Sequence, residues 1–252
     1  MSDAGRPHYS LGMTEPDLSA AATAVDLADR VVRSAAAHLA ARGIEPVVFE
    51  AGDSAGTSVR EWGHVRVFSP WDYNVDEAAR SLLADEGVVA PSGGHLPTGG
   101  DLVVHYLEPL SRVPAIAEGL RLGAEVTGIT RLGHDLMSNA GRADAPFVVR
   151  YRDAGGEHRL LASAVIDATG TWSKPNPMGV DGLAVPGEAE ASDRIAYGIP
   201  DVAGREREAY AGRRVLVIGG GHSAINVALA LLELQAKEPG TEVLWALRRN
   251  RI

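Results

Sequence analysis

The sequence predicts an α/β fold in which strands and helices alternate along the chain. An apolar run at residues 213–218 leads through a glycine turn into an apolar helix pattern at 224–236, and a second strand pattern follows at 242–247. Earlier in the chain, a helix pattern at 34–42 is followed by a strand pattern at 45–50. Glycine is abundant, with 29 residues, while aromatic residues make up only 5% of the chain. This balance favours closely packed strand–helix units over an aromatic-rich β-sandwich.

The helix pattern at 34–42 has both a start signal and a stop signal. Ser34 stands at its front, Arg42 lies in its last turn and Gly43 follows it. The strand pattern that comes next ends in Glu50. An acid at the end of a strand could bind the ribose of a nucleotide or could be an ordinary solvated carboxylate, and the residues alone leave both interpretations open.

The middle of the chain carries weaker patterns of both kinds. In order, these predict a strand or an extended loop at 62–71, a helix at 76–84 and an amphipathic stretch at 101–120 that is interrupted by Pro109 and Pro114. Strands are predicted at 124–130, 147–152 and 159–168. The region that follows is rich in proline, glycine and charged residues, so it is predicted to be a connector with little regular structure.

Charge and cysteine content exclude several function classes. The chain has 33 acidic and 24 basic residues, a net charge of −9, so it offers no basic face for nucleic acid. It contains no cysteine, which excludes disulfide frameworks, cysteine-based metal sites and dithiol redox chemistry. Its eight histidines show no metal-ligand spacing, so no metal site is predicted. Any redox chemistry must therefore come from a bound cofactor.

The hydropathy pattern favours a cytoplasmic protein. Residues 1–20 carry charged side chains and no apolar core, so neither a secretory signal nor a membrane anchor is expected there. No later apolar run approaches the roughly 18 residues that a membrane-spanning helix needs. We expect a small-molecule substrate and no membrane partner, and the sequence leaves self-association into a homo-oligomer open.

The strongest motif lies directly after the apolar strand at 213–218. It has the spacing G-x-G-x-x-G/A, filled by Gly219, Gly220, Gly221, His222, Ser223 and Ala224. In a dinucleotide site, Gly219 would allow the tight turn, Gly221 would let backbone approach a pyrophosphate, and Ala224 would permit close packing of helix on strand. The motif therefore predicts a dinucleotide-binding site, and the simpler alternative is a glycine turn before an ordinary core helix.

The end of the second strand indicates which nucleotide is bound. An acid there would hold a ribose 2′-hydroxyl, whereas an arginine accommodates a 2′-phosphate. The strand pattern at 242–247 is followed by Arg248 and Arg249, so NADP is favoured over NAD. The alternative is that the two arginines belong to a solvated turn.

A serine hydrolase is the competing interpretation of the same turn. A nucleophile elbow also places a serine between strand and helix, and Ser223 would be that serine. The elbow needs a small residue two positions later, where this chain has Ile225, and it would give Gly219 no role. The dinucleotide interpretation is therefore preferred.

Three segments of the sequence resemble a known family. They are residues 35–52 (AAAHLAARGIEPVVFEAG), 163–177 (SAVIDATGTWSKPNP) and 213–224 (RRVLVIGGGHSA). Together they resemble the bacterial FAD- and NAD(P)-dependent oxidoreductases related to the flavin-containing monooxygenases, which have two dinucleotide-binding domains. The similarity covers residues 35–252.

The resemblance implies FAD/NAD(P)-binding Rossmann-like domains with parallel sheets and a β-meander, the second domain being incomplete. It divides the chain into a polar tail at 1–22, an FAD-binding-like domain at 23–172, a connector at 173–212 and the start of an NADP-binding domain at 213–252. The family's remaining strands have no counterpart before the last residue of the sequence.

The resemblance also assigns roles to individual residues. It places Glu50 on the ribose of FAD, Val126 in a strand beside the adenine, and Ala168, Thr169 and Gly170 against the nucleotide. By analogy Trp62 would border the flavin, although an aromatic residue at such a place is more often a core residue. The second glycine motif would bind NADPH, with Arg248 or Arg249 on its 2′-phosphate. No catalytic acid or base is named, because the cofactors carry the chemistry.

The sequence departs from the family at the first glycine motif. The three glycine positions before the first helix are occupied by Leu27, Asp29 and Val32. A carboxylate and bulky side chains there would oppose a diphosphate and block its approach to the backbone. We hypothesise a compensated frameshift over residues 26–34, which requires the coding nucleotides to encode glycines in another frame.

The function implied by the resemblance is transfer of hydride from NADPH to flavin, followed by electron transfer to oxygen or another acceptor. Two further departures weaken the oxygenase interpretation: residues 197–201 replace the family's histidine signature, and residues 68–71 replace the Thr-Asn pair of its flavin site. The alternative function is a nucleotide-binding, non-catalytic remnant that retains NADP contacts but not FAD.

Overall fold

A computed structural model describes residues 29–170, 172 and 174–247. Its helices in this part of the chain are Asp29–Ala40 (α1), Thr57–Glu61 (α2), Trp71–Asn74 (α3), Glu77–Asp85 (α4), Gly99–Leu102 (α5), Glu108–Ser111 (α6), Pro114–Ala117 (α7), Arg207–Tyr210 (α8) and His222–Lys237 (α9). Its strands are Val48–Glu50 (β1), Leu120–Leu122 (β2), Glu125–Arg131 (β3), Phe147–Asp153 (β4), Gly156–Ala162 (β5), Arg214–Ile218 (β6) and Glu242–Ala246 (β7). A π-helical turn spans Val103–Leu107 and a 3₁₀ turn spans Ser192–Arg194.

The strands form parallel pairs and one antiparallel meander. β1 pairs with β2 in parallel, and β6 pairs with β7 in parallel. Between them in the chain, β3, β4 and β5 form an antiparallel sheet in sequence order, with an irregularity in β3 between Val126 and Gly128. Parallel strands joined through helices, together with this meander, are the α/β architecture that the sequence predicts.

The first helix differs from its prediction at both ends. α1 is described from Asp29, five residues before Ser34, and ends at Ala40 rather than Arg42. Nothing in residues 29–33 breaks a helix, so a serine inside the run does not have to start one. At the other end the Gly43 amide donates to the Ala40 carbonyl and the Ile44 amide to the Leu39 carbonyl, with Gly43 at φ +70°. This is a Schellman turn with Gly43 just past the helix, so Gly43 is the stop signal that the sequence predicts, and Arg42 lies in the closing turn.

β1 lies between a helical layer and the meander. All three of its residues are buried, as expected of a strand covered on both faces. On one side, Val48 packs with Ala36 of α1 and Ile116 of α7. On the other side, Phe49 packs in a cluster whose remaining buried members are Ala124, Val149 and Ala162. The carboxyl end of β1, where Glu50 lies, is therefore fixed by packing on both faces.

The helices between β1 and β2 enclose a third cluster. Its fully buried side chains include Leu83, Leu102, Tyr106, Leu107 and Leu110. The sequence predicts interruptions at Pro109 and Pro114 in this region, but residues 99–111 run on as α5, a π-helical turn and α6. Pro109 follows the π-helical turn by two residues, and the backbone on both sides of it stays helical, so it does not end the helix.

One strand prediction in the first unit, residues 29–170, is corrected. Residues 62–71, predicted to be a strand or an extended loop, form a loop with one isolated bridge, Arg66 to Thr98, and α3 begins at its end with Trp71. The strand expected at 159–168 ends at Ala162, and residues 163–170 have no regular structure. A strand forms only where a neighbouring backbone pairs with it, and no strand in the described part of the chain pairs with residues 163–168.

The second unit, formed by β6, α9 and β7, follows the predicted order of strand, helix and strand. Its core contains Val217 of β6, Leu231 and Leu234 of α9, and Val202 from the connector. The connector is less irregular than predicted, since it contains the 3₁₀ turn and α8. The domain boundaries at 22, 172 and 212 stay predictions. Among the described residues, no helix is long and apolar enough to cross a membrane.

Candidate functional site

The glycine turn that follows β6 has the geometry of a strand-to-helix turn. Gly219 has φ +122°, a conformation that side chains rarely adopt, and its amide donates to the Ala246 carbonyl of β7 at 3.2 Å. A Cβ added to Gly219 would lie 3.7 Å from the Ala224 Cβ, so the turn and the first turn of α9 lie in close contact. Trp245 of β7 fixes the same turn, because its indole Nε1 donates to the Gly219 carbonyl at 2.7 Å.

Gly221 differs from Gly219 in why a glycine stands there. It precedes α9 with φ −85° and ψ 176°, an extended conformation open to any residue. A Cβ added at Gly221 would meet no atom within 4 Å, so neither the backbone nor the packing requires glycine. The missing side chain instead leaves open space at the start of the helix, which a pyrophosphate needs in order to reach the backbone amides.

The N-terminus of α9 is suited to an anion. The helix has sixteen residues, and its first turn contains no acidic side chain and receives no side-chain cap from Gly221. Amide groups at such an end point outwards, and the helix dipole favours negative charge there. His222 and Ser223 in this turn are exposed, and Ala224 is half-buried against the strand. Gly220 lies beside the end of β7, where an added Cβ would be 3.4 Å from Leu247.

The structure argues against the nucleophile elbow. Ser223 is the second residue of α9 rather than the tip of a strained turn. Among the described residues, no hydrogen bond joins its hydroxyl to a histidine. A serine nucleophile needs such a base to take its proton, so the dinucleotide interpretation is the one that the geometry supports.

Arg248 and Arg249 lie outside the described residues. The last described residues of this unit are Ala246, which ends β7, and Leu247. The preference for NADP over NAD therefore stays a prediction from the sequence.

The predicted FAD-ribose ligand, Glu50, is buried at the end of β1. Its side chain is only 4% exposed, so the solvated-carboxylate alternative is wrong. One carboxylate oxygen, Oε1, accepts the Gly52 amide at 2.8 Å. Its carbonyl accepts the Ala124 amide at 2.9 Å, which brings the start of β3 beside it. Val126 follows on β3, half-buried against the cluster that contains Phe49, so the structure brings Glu50 and Val126 into one neighbourhood.

The Ala168-Thr169-Gly170 segment approaches β1 from the other direction. Ala168 packs against the cluster that contains Val48, two residues before Glu50. Thr169 and Gly170 are exposed, and Gly170 has φ +61°. The Thr169 amide donates to Asp167 Oδ1 at 3.0 Å, and this hydrogen bond is the main reason why the pKa of Asp167 is lowered. Of the three residues, only Ala168 has a packing role, so the exposed pair is available to a ligand.

Trp62 has the contacts of a packing residue. It is half-buried against the helical cluster of α4 to α6. A Cβ added at Gly99, the first residue of α5, would lie 2.7 Å from its ring. These contacts account for Trp62 without a ligand, and its role beside a flavin stays a prediction.

The position of the first glycine motif is only partly described. Leu27 lies outside the described residues, and α1 is described from Asp29, the place of the second glycine in the family's motif. The described part of the helix therefore begins with an acidic residue where the family's motif has a glycine. Among the described residues, no cluster of three or more potential metal-ligating side chains occurs.

Two structurally important groups were not found by sequence reasoning. Glu188 in the connector is 4% exposed and accepts the amides of Met178 and Val185 and the hydroxyl of Tyr197. The Tyr197 hydrogen bond is the main reason why the pKa of Glu188 is lowered. The second group is Phe68, whose ring lies on that of His222 with centroids 4.4 Å apart. Glu188 belongs to no periodic pattern, and the pattern at 62–71 gives no sign that Phe68 contacts His222, so only the three-dimensional structure reveals these contacts.

Known structures share this fold. The cadaverine monooxygenase of the desferrioxamine biosynthetic pathway from Erwinia amylovora, solved with FAD, matches 91% of this chain and 51% of its own, with a TM-score of 0.62 and 14% identity. The bacillithiol disulfide reductase from Staphylococcus aureus matches 93% of this chain and 58% of its own, with a TM-score of 0.57 and 16% identity. A cyclohexanone monooxygenase mutant from Rhodococcus sp. Phi1, solved with NADP⁺, matches 86% of this chain and 37% of its own, with a TM-score of 0.54 and 19% identity.

These likenesses define the fold class of the chain. The chain shares the fold of these two monooxygenases and this disulfide reductase, which agrees with the FAD/NAD(P)-binding, Rossmann-like fold that the resemblance predicted. The chain spans between 37% and 58% of the lengths of these three structures. No protein-family model matches the sequence, and no curated protein matches it.

Proposed function

We propose that the chain functions as an FAD-dependent oxidoreductase of the monooxygenase-like kind, which takes hydride from NADPH and passes electrons through flavin to oxygen or another acceptor. The observation that carries the proposal is the turn between β6 and α9. Neither the backbone nor the packing requires glycine at Gly221, and the missing side chain leaves open space there. The shared fold supports it, because structures with this fold were solved with FAD and with NADP. The substrate is proposed to be a small molecule.

The residues of the second site, which is the glycine turn between β6 and α9, fit NADP. The amides at the start of α9 would hold the pyrophosphate, and Gly221 gives it access to the backbone. Gly219 and Ala224 keep the turn close to the helix. Arg248 or Arg249 would hold the 2′-phosphate.

The residues of the first site, which lies around the carboxyl end of β1, fit FAD only in part. Glu50, Val126 and Ala168 surround the end of β1, and Glu50 would hold the ribose. The diphosphate turn does not fit, because Leu27 and Asp29 replace its glycines. A bound flavin would supply the capacity to accept hydride and to pass electrons on; the residues of the chain would position it and exclude water.

The second candidate function is a nucleotide-binding, non-catalytic remnant. The altered glycine positions at Leu27, Asp29 and Val32 favour it, because they change the first site and leave the second intact. Such a protein would bind NADP and would not take up FAD.

A visible absorbance spectrum of the purified chain, with and without added FAD, separates the two functions. Flavin that stays with the protein through gel filtration, and is bleached by NADPH without oxygen, is expected for the oxidoreductase. A colourless protein that takes up no FAD but still binds NADP⁺ would overturn that proposal in favour of the remnant. The variant L27G/D29G/V32G is the matched comparison: if the altered turn is the only defect, it gains flavin uptake.

A further inference from the structure

An exposed aromatic ring from the first unit lies directly on the glycine motif of the second. The Phe68 ring is tilted by 42° to that of His222, with the centroids 4.4 Å apart. Even with this contact, Phe68 is 60% exposed. Most of the ring surface is therefore still available to a further flat partner.

The backbone on both sides of Phe68 is fixed. The Val67 amide donates to the Pro97 carbonyl at 2.9 Å. On the other side, Ser69 Oγ donates to Asn74 Oδ1 at 2.6 Å, and Asn74 Nδ2 donates to the Ser69 carbonyl at 2.7 Å. Asn74 is itself only 4% exposed, so this pair of hydrogen bonds is shielded from water. The ring is thus presented from a braced loop, which lowers the entropy cost of stacking on it.

The glycine turn has two distinguishable sides. Gly220 faces the end of β7, since an added Cβ would lie 3.4 Å from Leu247. His222, two residues later, contacts Phe68 instead. In a dinucleotide site the adenosine half follows the end of the second strand, which is β7 here. The other half of a dinucleotide, beyond the pyrophosphate, leaves the turn away from β7. Phe68 contacts His222, the first residue of α9, and so lies beside the helix side of the turn.

We propose that Phe68 is a positioning residue for the nicotinamide half of a dinucleotide bound at the glycine turn, with its exposed ring surface stacking on the flat heterocycle. This inference rests on the proposed function, because it takes the turn to be an NADP site. It adds a specific contact from the first unit to a ligand that is otherwise held by the second.

The test compares a whole dinucleotide with its adenosine half. NADP⁺ and adenosine 2′,5′-bisphosphate are titrated calorimetrically into the unaltered chain, F68A and F68W, after thermal melts have shown that each variant is folded. We expect F68A to bind NADP⁺ about two- to tenfold more weakly, as lost aromatic stacking predicts. F68W should restore the affinity, and all three proteins should bind the bisphosphate equally.

Different outcomes separate this inference from the proposed function. Equal weakening of both ligands in F68A would mean that Phe68 only supports the turn through His222, and would overturn the inference. Unchanged NADP⁺ binding in F68A would overturn it as well. If the unaltered chain bound neither ligand, the proposed NADP site itself would be refuted, and the inference with it.

Discussion

Alanine substitutions at Gly219 and at Gly221, two residues apart in the same turn, should separate the stability of the fold from nucleotide binding. Gly219 has φ +122°, so alanine there is strained whatever space surrounds it. Strain of this kind costs about 1–3 kcal/mol of the free energy of unfolding. For G219A we therefore expect a destabilisation of that size, measured by urea unfolding.

G221A should leave stability nearly unchanged. The extended backbone at Gly221 suits alanine, and its Cβ would contact nothing within 4 Å. Alanine caps a helix less well than glycine, by up to about 1 kcal/mol, while the lower entropy of the unfolded chain offsets this by about 0.4–1 kcal/mol. The net change in the free energy of unfolding should lie within about 1 kcal/mol of zero.

Nucleotide binding should show the reverse order. The added Cβ of G221A would occupy the space through which a pyrophosphate reaches the backbone, and losing one charge-assisted hydrogen bond costs about 1.5–3 kcal/mol. We expect NADP⁺ to bind G221A about tenfold more weakly or worse in a calorimetric titration. If G221A keeps the affinity of the unaltered chain, the open space at Gly221 is not a ligand site and the reasoning fails.

Three further predictions concern the stability of the fold. Leu231 is fully buried in α9, so Leu231→Ala should lower the free energy of unfolding by about 2–5 kcal/mol, measured with urea. Leu232 is half-exposed, so Leu232→Ala should lower it far less. Equal losses in the two variants would contradict the assigned core. Thr98→Ala removes the capping box at α5 and should cost about 0.5–2 kcal/mol, and an unchanged melting temperature would exclude a role for the cap. Because the pKa of Glu188 is lowered from 4.5, its stabilisation is complete above that value and is lost as the pH falls through the lower folded pKa. Glu188→Gln should therefore lower stability at pH 7 and weaken its dependence on pH in acid; an unaltered pH profile would refute this.

The sequence predicted the second unit most closely because its signals are local. An apolar run, a glycine turn and an apolar helix lie within neighbouring residues, so β6, α9 and β7 match their predicted bounds to within two residues. The helix predicted at 76–84 is Glu77–Asp85 in the structure, where Asp76 caps its first turn by accepting the amides of Ala78 and Ala79.

Predictions that depended on distant partners were less successful. Residues 163–168 have a strand-like composition, but a strand requires a paired backbone, which composition does not reveal. The contact of Phe68 with His222 joins residues that are far apart in the sequence. The hydrogen bonds of Glu188 lie in a region without periodicity. The sequence spacing marks both Gly219 and Gly221 as members of the motif. Only the backbone conformation shows that Gly219 needs glycine for its positive φ while Gly221 does not.

The two candidate nucleotide sites differ in which of their parts are retained. At the second site the turn, the helix end and the space beside Gly221 agree with one another. At the first, Glu50 is buried beside β3, as a ribose ligand held in place would be, while Asp29 stands in the sequence where the family's diphosphate turn has a glycine. A carboxylate at that position would repel a diphosphate. Since the repulsion acts on the diphosphate and not on the ribose, it should weaken FAD binding without disturbing the packing around β1. Flavin uptake is therefore the property on which the oxidoreductase and the remnant differ most, and NADP binding is the one they share.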